Sequence, residues 1–300
     1  MSQREEKALP RDVGEILKKS GERALQGGIA GAAAMGINVL TLMWMRTTIN
    51  YQYAKGGGTM HALQTLYKEG GVPRFYRGLL PALVQGPLSR FGDAASNTGA
   101  LALMASFDET KDLPIWIKTG FASLSAALFR IFLMPVDTFK TTMQVQGKDG
   151  IKNLMAKARS TGPSVFFHGS LASATATYVG HYPWYSVFNY LQATLPRYDE
   201  TWKKLSRDAA IGFTATCVSD TLSNSIRVVK VYRQASKETI SYPEVVKRVI
   251  AEDGVIGLMG RGLKTKLISN GVQGLMFSVL WQLIDEQLFG KKTKEGGRSQ

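Results

Sequence analysis

The fold prediction starts from Met134-Pro135-Val136-Asp137-Thr138-Phe139-Lys140, which ends an apolar, helix-like segment and is followed by Gln144. Proline removes a backbone donor and kinks a helix. A kink here tilts the lower half of the helix inward, so that Lys140 can meet a neighbouring helix. The stretch therefore predicts a bent helix with Asp137 and Lys140 at its inner end.

The same pattern recurs on both sides of this central copy, at a nearly fixed period. A shift of 94 residues toward the N-terminus aligns four residues with Pro135, Asp137, Lys140 and Gln144. They are, in the same order, Thr41, Met43, Arg46 and Asn50. Sliding forward by 90 residues places there Ser225, Arg227, Lys230 and Gln234. The base and the terminal amide thus persist in three copies, whereas the proline and the acid do not.

A second landmark follows each copy by some 30 residues and closes on a glycine. It spans residues 69–78, 161–169 and 253–262, and its closing glycines Gly78, Gly169 and Gly262 are 91 and 93 residues apart. Between the two landmarks lie short amphipathic pieces such as 61–68 and 242–251, which are typical of helices on a membrane surface. Two motifs in register, three times over, predict an internal repeat.

Long uncharged stretches separate these landmarks. Residues 24–45, 169–195 and 267–284 contain no Asp, Glu, Lys or Arg, and their lengths approach the roughly 20 residues that a helix needs to cross a bilayer. They are rich in Gly, Ala, Ser and Thr, which fits helices that pack closely and face water on one side. Buried helices of a soluble protein remain an open alternative.

The chain is strongly basic, with 37 Lys and Arg against 23 Asp and Glu and a formal net charge of +14. Such an excess suits nucleic acid, an anionic membrane surface or a pore for anions. The basic residues occur in short clusters between uncharged stretches, without a zinc or RNP-type signature, so no nucleic-acid partner is predicted. Cys217 is the only cysteine, and the chain has no catalytic Ser/His/Asp set or metal-ligand cluster, so we expect neither an enzyme nor a metal site.

Together the motifs resemble those of the mitochondrial carrier family, over roughly residues 20–289. The resemblance implies an all-α membrane protein of the mitochondrial inner membrane, with six transmembrane helices in three pseudo-threefold repeats and short matrix-side helices. The repeats would be about 20–112, 113–202 and 203–289, and we expect a polar N-terminal segment, 1–19, and a disordered tail, 290–300. No cofactor is implied, but cardiolipin is expected near the three closing glycines, Gly78, Gly169 and Gly262.

In the family, the acid of one repeat pairs with the base of the next and closes the matrix side. Carried over residue by residue, this ring pairs Met43 with Lys140, Asp137 with Lys230, and Arg227 with Arg46. Only the middle pair is attractive. The resemblance thus implies a matrix gate of Arg46, Asp137, Lys140, Arg227 and Lys230, braced by the amides Asn50, Gln144 and Gln234.

Helical spacing selects the residues that would line the cavity. Residues seven apart share a face, so Arg130 lies above Asp137, and Asp220 lies above Arg227. The predicted solute-binding residues are Gln85, Asp93, Arg130, Thr177, Asp220, Ser269 and Gln273. This set lacks the arginine cluster that a nucleotide requires, and it predicts a small zwitterionic or neutral solute. Alternatively, Arg130 and Asp220 pair only with each other and hold two helices together.

Two functions therefore stay open. The first is alternating-access transport of a small-molecule solute. The second is a transport-inactive, carrier-derived structural or adaptor subunit that docks to a larger membrane complex, which the incomplete ring of gate pairs favours.

Overall fold

The computed structural model describes residues 35–106, 108–198 and 200–288, and in these residues every regular element is a helix. The all-α prediction is therefore confirmed for this part of the chain, whereas the predicted segments 1–19 and 290–300 lie outside it. The helices are α1 (35–55), α2 (Thr59–Phe75), α3 (Leu79–Ser106), α4 (Asp108–Lys111), α5 (Ile115–Phe132), α6 (Met134–Gln146), α7 (Gly150–Thr161), α8 (Ser170–Thr194), α9 (Thr201–Ala235), α10 (Tyr242–Gly260) and α11 (Leu263–Leu288).

The first and third predicted repeats have the order long helix, short helix, long helix, and in the middle one the first long helix is divided into α5 and α6. The short helices α2 and α10 contain the amphipathic pieces at 61–68 and 242–251, and both are broken at glycines of the second landmark. Gly71 and Gly254 adopt positive φ angles of 63° and 72° at these breaks. The chain therefore turns from the short helix into the next long helix where the sequence pattern places the landmark.

The central stretch produces the predicted bend. Helix α5 ends at Phe132 and α6 begins at Met134, and the segment Ile117–Phe132 makes an angle of 65° with the segment Met134–Thr161. Pro135 lies in the first turn of α6. The corresponding helices of the other repeats, α1 and α9, contain no proline in their described residues and run without a break. Proline accounts for the difference because it removes one backbone hydrogen bond and clashes with the preceding turn.

The three closing glycines join the repeats into a ring. Each precedes a long helix, has a positive φ (84°, 88° and 66° in chain order), and abuts the first long helix of the following repeat. A Cβ added at the glycine would lie 3.0 Å from the facing carbonyl oxygen for Gly78 and Lys140, 3.4 Å for Gly169 and Lys230, and 3.2 Å for Gly262 and Ile49. The third contact returns to the first repeat, so the ring is closed.

These contacts correct the register of the first repeat. Ile49, Lys140 and Lys230 occupy the same position, 91 and 90 residues apart, so the predicted spacing of 94 is wrong by three. A second pair agrees, because the hydroxyls of Thr47 and Thr138 donate to the carbonyls of Phe75 and Phe166, at 2.6 and 2.8 Å.

The corrected register changes the residues that occupy the motif in the first repeat. The positions of Pro135, Asp137, Lys140 and Gln144 are held there by Trp44, Arg46, Ile49 and Tyr53. A shift of three is close to one helical turn of 3.6 residues, so it keeps the polar residues on nearly the same face. The pattern of polarity alone therefore did not reveal the error.

Within the described residues, no single helix is both long and apolar enough to qualify as a membrane span. The bent pair Ile117–Phe132 and Met134–Thr161 meets the criterion together, by length and composition only.

Candidate functional site: a charged central cavity

A cavity of about 790 Å³ lies at the centre of the ring and is lined by α1, α3, α5, α6, α8, α9 and α11. Along α3 it extends from Ala82 to Asp93, which is about 16 Å at 1.5 Å per residue. Six of the predicted solute-binding residues line it: Gln85, Asp93, Arg130, Thr177, Ser269 and Gln273. Their contact with a solute stays a prediction.

Asp220 is the exception among these predicted residues. Its side chain is only 7 % exposed and is not part of the cavity lining. The predicted contact of Asp220 with a solute is therefore not supported by its position. It binds Lys266 Nζ at 2.8 Å and Asn270 Nδ2 at 2.6 Å, both from α11. Arg227 Nη2 is 3.7 Å away. A buried carboxylate with several cationic and amide donors is a stable arrangement.

Sequence reasoning missed Lys266 and Asn270, although both line the cavity. The signal was available in the sequence, because they lie three or four residues from Ser269 and Gln273 on the same helix face. Lys266 directly precedes the uncharged stretch 267–284, so a search for cavity residues within that stretch does not include it.

Arg130 pairs with Asp93 across α5 and α3. Its Nη2 lies 2.8 and 3.1 Å from the two carboxylate oxygens, and its Nη1 donates to Ser89. The alternative pairing of Arg130 with Asp220 is therefore wrong. About one fifth of each side chain is exposed in the cavity, 23 % for Arg130 and 22 % for Asp93, so this ion pair can be reached from the cavity.

The predicted matrix gate has Asp137 at its centre. Its carboxylate binds Lys230 Nζ at 2.7 Å, as the ring pattern predicts, and Lys140 Nζ at 2.6 Å on its own helix. Lys140 also donates to Gln85 at 3.2 Å. It therefore has polar partners, although the ring pattern places only Met43 opposite it. Gln234 Nε2 donates to Asp137 and to Thr138, at 3.3 and 3.1 Å.

The two remaining gate residues, Arg46 and Arg227, hydrogen-bond within their own helices. Arg46 Nη2 donates to Asn38 Oδ1 at 2.6 Å, and Arg227 Nε donates to Ser223 Oγ at 3.2 Å. Both side chains line the cavity. Each guanidinium thus donates to a neutral acceptor on its own helix, and the contact between the two arginines stays a prediction.

Of the three predicted brace residues, two bind each other between repeats. Asn50 Nδ2 donates to Gln144 Oε1 at 2.6 Å, and Gln144 Nε2 contacts the Met43 sulfur at 3.6 Å. Tyr53, which holds the corresponding position in the corrected register, instead donates from its hydroxyl to Asn224 Oδ1 at 3.0 Å. Each joint between repeats is therefore bridged by polar side chains of different chemistry.

Outside the cavity, His168 precedes Gly169 at the position that Arg77 and Arg261 hold in the other repeats. Burial, together with the nearby cations Lys157 and Arg233, lowers the pKa of His168 to about 4. Burial and Arg233 likewise lower the pKa of Lys157 to about 8. The histidine is therefore neutral at physiological pH.

The cavity wall carries an excess of positive charge. Among the described residues, the cavity is lined by six basic side chains, Arg46, Arg130, Lys140, Arg227, Lys230 and Lys266, and by the carboxylates of Asp93 and Asp137. Asp220 adds one negative charge directly behind the wall. Low-dielectric walls of one sign focus the field and attract ions of the opposite sign. No group of three or more His, Cys, Asp or Glu in the described residues is placed to hold a metal ion.

A family model described as mitochondrial carrier protein matches residues 18–97 and 201–292, which is more than half of the 300-residue chain. The matched segments cover most of the first and third predicted repeats. No curated protein matches the chain.

Proposed function

The chain belongs to the mitochondrial carrier family, and on this premise we propose that it carries a small solute across the mitochondrial inner membrane by alternating access. Members of this family are multi-pass transporters of that membrane rather than enzymes. Six membrane-crossing segments are proposed, α1, α3, the bent pair α5 and α6, α8, α9 and α11. Helices α2, α7 and α10 then lie at the matrix side.

One observation carries the proposal. The cavity of about 790 Å³ receives ionic or polar side chains from every one of these six segments. Ionisable residues inside a membrane span are costly and usually face a partner, water or a transported solute. A cavity of this size accommodates a small organic molecule.

A zwitterion is the solute class that we propose. Arg130 and Asp93 form an ion pair at 2.8 Å with about one fifth of each side chain exposed. A solute with a carboxylate and an ammonium group can exchange this internal pair for two pairs of its own. After the exchange each of the four charges still faces an opposite charge, so no charge is left unpaired in the membrane.

Opening of the matrix side requires the link between Asp137 and Lys230 to break, because this ion pair joins the second and third repeats. Lys140 stays beside Asp137 on the same helix and can retain the carboxylate when Lys230 leaves. The carboxylate therefore keeps one cation in both states, which lowers the cost of opening relative to an isolated pair.

Lipid is the second proposed ligand. The starts of α3, α8 and α11 at Gly78, Gly169 and Gly262 are proposed to receive lipid phosphates, including those of cardiolipin, because helix N-termini attract anions. At α8 the Tyr242 hydroxyl already accepts from the Ala172 N–H at 3.4 Å, so this start offers one donor fewer.

Flux measurements test the function. The purified chain is reconstituted in vesicles and assayed for uptake of amino acids, carboxylates and nucleotides. We expect saturable exchange of a zwitterion, reduced at least about tenfold in Arg130→Ala, and unchanged in the control Arg248→Ala on α10. Absence of flux for every solute, with co-purification in a large assembly, would instead support the adaptor function.

A further inference from the structure

Asp93 is the carboxylate of the cavity region that a solute reaches most easily. Its side chain is 22 % exposed, against 8 % for Asp137 and 7 % for Asp220. Asp137 binds two lysines, and Asp220 binds a lysine and an amide of α11. Within the described part of the chain, Asp93 has one partner, Arg130. A cationic group of a solute therefore meets the least competition at Asp93.

Aromatic side chains of α8 lie beside this carboxylate. Asp93 and Trp184 hold equivalent positions in their repeats, because each lies 15 residues after the closing glycine, Gly78 or Gly169. Trp184 and its neighbour Tyr185 both line the cavity, and Tyr185 lies near Asp93. The cavity therefore offers a carboxylate and two aromatic rings in one place.

The two rings are held by contacts within the helix bundle. Trp184 Nε1 donates to Thr216 Oγ1 on α9 at 3.1 Å, and the indole stacks on Phe188 with ring centroids 4.8 Å apart. The Tyr185 ring stands at 86° to the indole, with centroids 5.1 Å apart. Because these side chains are already ordered, a solute that contacts them pays little entropy for fixing them.

The combination of a carboxylate and aromatic rings suits one kind of cation. A primary ammonium group donates three hydrogen bonds and is strongly hydrated, so one carboxylate satisfies it only in part. A quaternary ammonium group donates none, and its charge is attracted by the electron-rich faces of aromatic rings. Side chains of Trp and Tyr are the usual ligands of such groups in proteins. The site therefore favours a methylated ammonium group over a primary one.

We propose that Asp93, Trp184 and Tyr185 bind the cationic end of the solute and select a methylated ammonium group, while Arg130 receives the solute carboxylate. Asp93 supplies the opposite charge, and the two rings supply the preference for methyl groups. The inference rests on the proposed function, because it names the class of zwitterion that the cavity takes.

Three small probes test the site by isothermal titration calorimetry of the purified full-length chain in detergent. Trimethylglycine carries the methylated ammonium group, and glycine carries a primary one. The anion of tert-butylacetic acid has carbon in place of the nitrogen, so it keeps the shape and the carboxylate of trimethylglycine but loses the positive charge. The basic cavity wall attracts this anion more strongly than a neutral zwitterion. Tighter binding of trimethylglycine therefore cannot come from net charge.

We expect trimethylglycine to bind at least about fivefold more tightly than glycine or the carbon analogue. Tyr185→Leu removes one ring and should weaken binding of trimethylglycine about threefold to tenfold, whereas Tyr185→Phe keeps the ring and should stay within about twofold. The matched control is Tyr190→Leu, on the same helix, because Tyr190 is 68 % exposed and does not line the cavity. It should bind trimethylglycine like the natural chain.

Several results overturn the inference. They are binding of trimethylglycine no tighter than that of glycine or of the carbon analogue, no binding of trimethylglycine, and equal affinity of Tyr185→Leu and Tyr190→Leu. If Tyr185→Leu does not fold, Asp93→Asn keeps the side-chain shape and removes the charge. It should weaken trimethylglycine at least about tenfold without weakening the carbon analogue, and an unchanged affinity for trimethylglycine overturns the inference.

Flux in vesicles separates this inference from the proposed function. Saturable exchange of zwitterions without a preference for the methylated ammonium group rejects only the inference. Binding of trimethylglycine with the expected preference, but without flux of any solute, rejects only transport.

Discussion

The middle repeat and its two neighbours use different chemistry at one level of the ring. The middle repeat bends at Pro135 and gathers two lysines around Asp137, whereas the others keep an unbroken helix and place Arg46 or Arg227 there. All three nevertheless make the same close contact between a closing glycine and the next repeat. The ring therefore depends on backbone contacts that all three repeats share, whereas the side chains at the predicted gate vary between them.

The largest loss of stability is expected when the carboxylate of the middle repeat is removed. Asp137→Asn leaves Lys140 and Lys230 buried without an acid, so we expect the free energy of unfolding to fall by about 3–5 kcal/mol. Denaturant titration in detergent measures it. The control is Asp208→Asn, whose carboxylate is 42 % exposed and which should change stability by less than about 1 kcal/mol. Similar losses in both variants would show that Asp137 does not hold the gate.

A proline introduced into the third repeat tests whether its continuous helix tolerates a kink. Ser225→Pro places proline inside α9 at the position of Pro135, where it removes the hydrogen bond to the carbonyl of Thr221. We expect a loss of about 3 kcal/mol in the free energy of unfolding, because α9 is continuous at this position and has no kink that could accommodate a proline. Ser225→Ala, which keeps the backbone donor, is the matched control. Equal stability of the two variants would mean that α9 can kink at this position, as the middle repeat does at Pro135, without loss of stability.

The backbone landmarks were predictable from the sequence because each depends on a residue with a single physical property. Gly78, Gly169 and Gly262 adopt positive φ, and Pro135 lies at the bend. The register of the first repeat was not predictable in the same way, because Trp44, Arg46 and Ile49 keep none of the motif's chemistry. Only the tertiary contacts of Ile49 and Thr47 fix it.

Partners across helices were the least predictable part of the site. Periodicity shows which residues of one helix share a face, but it does not show which helix that face meets. The sequence placed Asp220 and Arg130 at equivalent depths and left their pairing open. The structure instead gives each charge a partner on another helix, Lys266 for Asp220 and Asp93 for Arg130.

A smaller effect is expected at the shared backbone contact. Gly78→Ala puts a Cβ on a residue with φ of 84° and within 3.0 Å of the Lys140 carbonyl oxygen. We expect a loss of about 2 kcal/mol in the free energy of unfolding, measured by the same titration. At Gly212, inside α9 with no atom within 4 Å of an added Cβ, alanine should be neutral or stabilising. The same loss at both glycines would refute a special role for Gly78.

The smallest expected effect concerns His168, which stands where the third repeat has Arg261. Arg261 forms ion pairs with Asp253 and Glu252 at 2.8 Å each. His168 instead lies near the cations Lys157 and Arg233, and burial together with these cations lowers its pKa to about 4. The ordinary pKa of histidine is about 6.5. Between these values the unfolded chain binds more protons than the folded chain, so acidification destabilises the fold. The free energy of unfolding should therefore fall by about 1 kcal/mol between about pH 7 and 5.5 through this one group. His168→Gln does not titrate, so its unfolding free energy should fall less over the same range, and an unchanged pH slope would show that His168 is not held neutral by its surroundings.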